Sequence, residues 1–402
     1  FYTINNQKKN HMRIIRLLYM LFVTISSVCL TSCQKEEIPP TPKNERTLFM
    51  YLPWSTNLTD YFYNNIADME EAISHTGLSK EQVIVFLSTS ASEAEMFEIV
   101  YEDGSCHRQI LKEYTNPAFT TPTGLTAILN DMKSFAPALD YAMIIGCHGM
   151  GWLPVEQNLG RATTDFTYHW EYTDVPQTRF FGGLTAEYQT DVTTLAQSLS
   201  DSGLKMDYIL FDDCYMSSLE VAYDLRHVTD YLIACPTEIM VYGMPYSTMG
   251  KYLLAEKPDY SSVCQAFYEF YSNYQYPYGT IAVTDCSYLD ELADMMRLIH
   301  ANYSLDSSLT AYIQRMDGYS PVIFYDFGDY VRTMCESDSE LYGNFTALME
   351  KVIPYKAYTP KFYTASRGPI TVEQYSGITT SEPSSNSKAI NYPQTSWYLA
   401  TH

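Results

Sequence analysis

Basic residues are scarce. The 402-residue chain carries 25 Lys and Arg against 47 Asp and Glu, a formal net charge of -22. A surface of that sign repels phosphate backbones, which excludes nucleic acid as a partner and favours basic substrates. The nine cysteines include no Cys-x-x-Cys pair, so neither a zinc ribbon nor a dithiol redox motif is present. A GxSxG elbow, an HExxH helix and a Walker A loop are also missing, which removes the corresponding hydrolase, metalloprotease and nucleotide-binding readings. There is no compact acidic calcium loop, and no closely spaced ligand pair anchors a zinc site. No cofactor and no metal are expected. Internal repeats are absent, and after residue 30 no stretch is apolar enough to cross a membrane.

Apolar residues make up 46% of the chain, enough for a sizeable core, and 37 tyrosines combine apolar area with a hydrogen-bonding tip. The first segment reads as an address. Arg13 and Arg16 precede the 14-residue apolar run Leu17–Leu30, which ends in Leu30-Thr31-Ser32-Cys33. The pattern resembles a bacterial lipoprotein signal, with residues 1–32 removed and Cys33 acylated. Residues 33–46 are polar and Pro-rich, the composition of a tether. Without residues 1–32, which hold four basic groups and no acid, the charge falls from -22 to -26. A lipid anchor at the outer membrane is expected, with surface display suggested by Lys35-Glu36-Glu37.

From Thr47 onward strands alternate with helices. Apolar runs at 47–54, 82–88, 140–149, 206–213, 231–236 and 280–285 read as strands covered on both faces. Helical spacing marks 60–75, 125–135, 191–202, 216–227, 261–273, 288–302 and 325–335, and Asp103-Gly104 turns a hairpin across 95–114. Such alternation predicts a mainly parallel α/β sheet. A polar segment at 153–188 is long enough to be functional. The core is expected over 47–300, with 301–402 as a C-terminal region associated with it.

In open α/β sheets ligands bind beyond the carboxyl ends of strands. Two such ends carry reactive residues, Cys147-His148-Gly149 and Asp212-Asp213-Cys214. If these strands are neighbours, the His148 imidazole can serve as base to the Cys214 thiol. A helix starting at 216 would bring its positive end to Cys214 and lower the thiol pKa. Gly149 lets a backbone N–H approach a reacting carbonyl, and with the Cys214 N–H it forms an oxyanion hole. Asp212 shares a strand face with Cys214 and suits a substrate cation, with Glu238 as a second candidate. Trp152 is read as lining the cleft, and Cys147 as core packing. Cys106, Cys264, Cys286 and Cys335 read as structural, with pairing among them open.

The strings HGMGW (148–152), DDCYMSSLEVAYDLR (212–226) and CPTEIMVYGMPY (235–246) resemble the clostripain-like (C11) cysteine peptidases. The resemblance implies a caspase-like sandwich, a Cys/His dyad without an obligatory third member, and cleavage after Arg or Lys of protein or peptide substrates. It also implies possible self-cleavage after a basic residue in the loop past the His motif, for which Arg161 and Arg179 are the candidates. A monomer is expected. The competing reading is a non-catalytic envelope lipoprotein that uses such a scaffold to bind peptides or glycans.

Overall fold

The computed structural model describes residues 44–155 and 182–402, all within one compact unit that runs from Pro42 to His402. Cys33, Arg161 and Arg179 lie outside the described residues.

The strands are β1 (Asn44–Leu52), β2 (Glu81–Ser88), β3 (Glu93–Glu102), β4 (Ser105–Thr115), β5 (Ala138–Gly146), β6 (Met206–Asp212), β7 (Thr229–Ala234), β8 (Thr280–Asp285), β9 (Tyr325–Asp326), β10 (Tyr355–Tyr358), β11 (Lys361–Thr364), β12 (Gly368–Thr371) and β13 (Thr379–Thr380). Nine of them form one sheet in the order β10-β8-β7-β6-β5-β1-β2-β3-β4. Its centre, from β7 to β2, is parallel, and antiparallel strands finish both edges. The central strands are apolar throughout because both faces are covered: Leu48, Phe49, Met50 and Val83 to Leu87 have no exposed surface.

The helices are α1 (Thr59–Thr76), α2 (Pro122–Phe135), α3 (Val192–Asp201), α4 (Leu219–Leu225), α5 (Tyr246–Leu253), α6 (Tyr260–Asn273), α7 (Leu289–Asn302), α8 (Phe327–Cys335), α9 (Ser339–Val352) and α10 (Ser396–Thr401). Helix α1 buries Phe62, Ile66, Met69 and Ile73, a stripe at helical spacing. It covers the sheet face that Leu52 and Gly146 share, where Phe62 packs. Tyr51, one residue away, points to the other face and donates to the Phe119 carbonyl at 3.2 Å, just ahead of α2. The sheet is therefore a filling between two helical layers. Among the described residues no helix is long and apolar enough to cross a membrane.

Two departures from the sequence expectations stand out. The helix expected at 216–227 is only α4. Residues 215–218 stay out of the helix because neighbours claim their backbone: Tyr215 N–H donates to Thr237 O (3.1 Å), Ser217 N–H to Cys235 O (3.1 Å), and Thr379 N–H to Ser217 O (3.0 Å). Ser218 then caps α4, its hydroxyl accepting from Val221 N at 3.3 Å. The second departure is how far the C-terminal residues enter the core. Strand β10 extends the main sheet, β13 pairs with β9, and α10 packs on α4 and α7 with Trp397 fully buried between Tyr223 and Phe327. No disulfide joins any of the seven cysteines among the described residues, so Cys106, Cys264, Cys286 and Cys335 are not paired with one another.

Candidate active site

Strands β1, β5, β6 and β7 are neighbours, are parallel, and end at one edge of the sheet. Chain order reverses between β1 and β5, which makes this edge the switch point of the fold. Each of the four strand ends delivers one part of the site.

Strand register does the first piece of placement. Gly146 on β5 stands opposite Asp212 on β6. Opposed residues of parallel strands point to the same face, and so do residues two further along. His148 and Cys214 each lie two residues beyond this pair, on neighbouring strand ends. Gly149 seals the approach: a Cβ there would lie 2.2 Å from the Cys214 carbonyl oxygen and 2.8 Å from the Cys214 nitrogen. Only glycine allows two backbones to come so close.

Asp213 and Cys147 face the opposite way and lock the two loops. The Asp213 carboxylate accepts from the Cys147 N–H at 2.6 Å and from its thiol at 3.5 Å. Cys147, read from sequence as core packing, is buried and also a partner in this clamp. Tyr215 completes the turn after Cys214 with φ 61, a left-handed conformation that costs a bulky residue on the order of 1–2 kcal/mol. Stacking on Phe324 at 4.9 Å and a 2.6 Å hydrogen bond from its hydroxyl to Glu238 offset that cost.

Two contributors were not legible in the sequence. The loop after β1 brings Asn57, whose Oδ1 lies 2.8 Å from His148 Nε2. An amide oxygen only accepts, so Nε2 carries the hydrogen and the ring lone pair sits on Nδ1. The loop after β7 supplies the Ile239 N–H, which donates to the Cys214 sulfur at 3.4 Å. A donor aimed at sulfur favours the thiolate. It stands where the sequence placed a helix dipole, which cannot act here because α4 begins five residues beyond Cys214.

Asp212 is 1% exposed and accepts from Met244 N (2.9 Å) and the Tyr246 hydroxyl (3.1 Å), which fix its orientation beneath Cys214. The Glu238 oxygens accept from the Tyr215 hydroxyl and from Ala365 N (2.9 Å), so this carboxylate ties the turn to the C-terminal hairpin β11–β12. Trp152 reaches the same C-terminal region. Its indole N–H donates to Ser381 Oγ at 2.8 Å and its ring meets Tyr392 edge-on at 5.6 Å, so it anchors the C-terminal segment. His148 and Cys214 themselves are fully buried. Gly182 O accepts from His148 N–H at 3.2 Å and Leu184 N–H donates to Thr56 Oγ1 at 3.2 Å, so residues 182–184 help to close this edge.

A thiol and an imidazole on neighbouring strand ends at the switch point of a helix-flanked α/β sheet fit a cysteine peptidase of caspase-like architecture, and the comparisons agree. The chain matches the clostripain family, Peptidase C11, over residues 50–392, and it belongs to that family. A secreted C11 cysteine protease from Bacteroides thetaiotaomicron is 52% identical with a TM-score of 0.83, over 90% of this chain and 100% of that one. A clostripain from the same species, solved with the peptide inhibitor BTN-VLTK-AOMK, is 54% identical with a TM-score of 0.54, over 56% of this chain and 99% of that one. An inactive zymogen C11 protease from Parabacteroides distasonis is 27% identical with a TM-score of 0.72, over 90% of this chain and 99% of that one. No curated protein matches. Nothing among these relatives supports the non-catalytic reading.

Proposed function

We propose that Cys214 is the nucleophile of this peptidase, that His148 is its base, and that the bond cleaved follows Arg or Lys. The observation that supports the reading is the Gly146–Asp212 register, which ends two adjacent parallel strands level with each other just before His148 and Cys214. In this scheme the thiol proton passes to His148 Nδ1 while Asn57 holds Nε2. Sulfur attacks the scissile carbonyl, and the oxyanion takes the N–H groups of Gly149 and Cys214. His148 returns the proton to the departing amine, leaving an acyl-enzyme. Water, deprotonated by the same ring, then releases the new carboxyl group and restores the thiol.

Asp212 is the residue we assign to a basic side chain in the substrate, because it shares the face of Cys214 and its carboxylate is held in one orientation. The inhibitor in the 54% identical clostripain ends its peptide string in K, which agrees with this choice. Substrate entry requires the edge at 182–184 to open. Cleavage of the chain at Arg161 or Arg179 is the proposed release. Acylation of Cys33 would hold the enzyme at a bacterial envelope, and the 52% identical relative is described as secreted.

The test is labelling of the full chain with a ketone electrophile that carries a P1 Arg, read by intact mass and peptide mapping. One label on Cys214, lost in Cys214→Ala and reduced at least about 100-fold in rate in Asp212→Ala, is expected, the size that follows from removing a buried charge pair. Labelling elsewhere, or equal loss for a non-basic probe in Asp212→Ala, would remove the respective assignment.

A further inference from the structure

Away from the dyad, three segments of the C-terminal half converge on one point. His300 stands at the end of α7, Glu382 two residues beyond β13, and His402 just past α10. Glu382 Oε1 lies 3.0 Å from His300 Nε2 and 3.2 Å from His402 Nε2, and the two rings are 4.3 Å apart.

Each ring is oriented from its far side. His300 Nδ1 lies 3.1 Å from the Thr401 carbonyl and His402 Nδ1 3.3 Å from the Tyr398 carbonyl. Thr401 Oγ1 also lies 3.2 Å from His402 Nδ1, so both rings are held through Nδ1 with Nε2 turned toward the same carboxylate oxygen. Tyr398 stacks on the His402 ring at 3.9 Å, and the Tyr392 hydroxyl donates to Glu382 Oε2 at 3.3 Å. The Tyr330 hydroxyl stands 3.5 Å from His300 Nε2.

Two ring nitrogens converge on one anionic oxygen. A single proton bridges that oxygen to one ring at a time. A divalent ion satisfies all three atoms together. At ligand bonds of about 2.0–2.1 Å, tetrahedral zinc separates neighbouring ligand atoms by roughly 3.3 Å, close to the 3.0 and 3.2 Å observed. The set is nitrogen-rich with no thiolate, which suits zinc and its first-row neighbours rather than calcium or magnesium. His402 is the most exposed of the three, 32% against 11% and 12%, so a fourth position opens toward water.

We propose that His300, Glu382 and His402 bind one divalent transition-metal ion of the zinc class, which clamps the C-terminal segment onto the peptidase core. The clamp reaches toward the active site through the residues just before Glu382. Ser381 N–H donates to Glu220 of α4 at 3.0 Å and Ser381 Oγ accepts from Trp152 of the His148 loop. Sequence spacing gave no sign of this site, because its ligands are scattered over more than a hundred residues.

Titration of the full chain with Zn2+ alone, in a Cys214→Ala background that removes the active-site thiol, tests this. One ion per chain and a rise in the thermal midpoint are expected, with affinity reduced about 100-fold or more in His300→Ala and in Glu382→Gln. His402→Gln guards against a folding artefact, since it changes a partly exposed residue. It should keep the metal-free thermal midpoint yet lose the metal-induced rise. Co2+ should give visible bands of a four-coordinate nitrogen–oxygen site. Absence of stoichiometric binding, undiminished affinity in His300→Ala and Glu382→Gln, or an intense thiolate-to-cobalt band would overturn the assignment.

Discussion

His148 and Cys214 stand on neighbouring strand ends, each two residues beyond a register pair. His300, Glu382 and His402 meet because helices and a strap pack together, with no shared strand to align them. The first arrangement is set by backbone hydrogen bonds every few ångströms. The second depends on side chains such as Trp397, buried between Tyr223 and Phe327, which hold α10 in place. A site built on strand ends is thus placed locally and survives small shifts elsewhere. A site built between helices is only as fixed as the packing that surrounds it.

That contrast can be broken at its tightest point. Gly149→Ala forces a Cβ into contact distance of the Cys214 backbone. We expect kcat/KM on a basic amide substrate to fall about 10²–10³-fold, the size of losing an oxyanion donor, with the thermal midpoint lowered as well. Full retention of activity would mean the two loops are not held together as described.

The junction between the two regions is probed by pH. Glu220 is completely buried, and burial pushes its carboxyl up to about 7 against the hydrogen bonds from Ser381 N and Thr380 Oγ1 that pull it down. Below about pH 4.5 folded and unfolded chains both hold this proton. Between there and pH 7 the unfolded chain releases it first, so stability falls as pH rises, by about 3 kcal/mol in total. Glu220→Gln should remove this slope in denaturant titrations taken from pH 4 to pH 8. An unchanged slope would locate the titrating group elsewhere.

The smallest effect is expected at Asn57. Asn57→Ala removes one acceptor from a buried imidazole and should lower kcat about tenfold, the value of roughly 1.4 kcal/mol. Asn57→Asp keeps an oxygen in place and should retain more of the rate. Equal losses in the two variants would assign Asn57 to loop packing alone.

Much of the sheet was readable because a strand covered on both faces leaves an unbroken apolar run, as in β2, β5 and β6. Helix α5 was not, since Pro245 opens it and only Tyr246, Met249, Gly250 and Leu253 of its eight residues are buried. The helix after Cys214 was read too long because the claim of Cys235, Thr237 and Thr379 on residues 215–218 is made across the fold. Asn57 looked like any loop residue, and the Ile239 contribution is a backbone N–H that no side-chain pattern encodes. Trp152 and Glu238 were expected at the cleft, and their hydrogen-bond partners, Ser381 and Ala365, lie in the segment whose placement was hardest to read.

From sequence alone came the strands, the two reactive strand ends and the family resemblance, because alternation, apolar runs and local motifs are one-dimensional properties. Tertiary structure alone decided which strands are neighbours, which way each side chain faces across them, and what the last hundred residues touch. Those are matters of register and packing between segments far apart in the chain, and no local pattern of residues contains them.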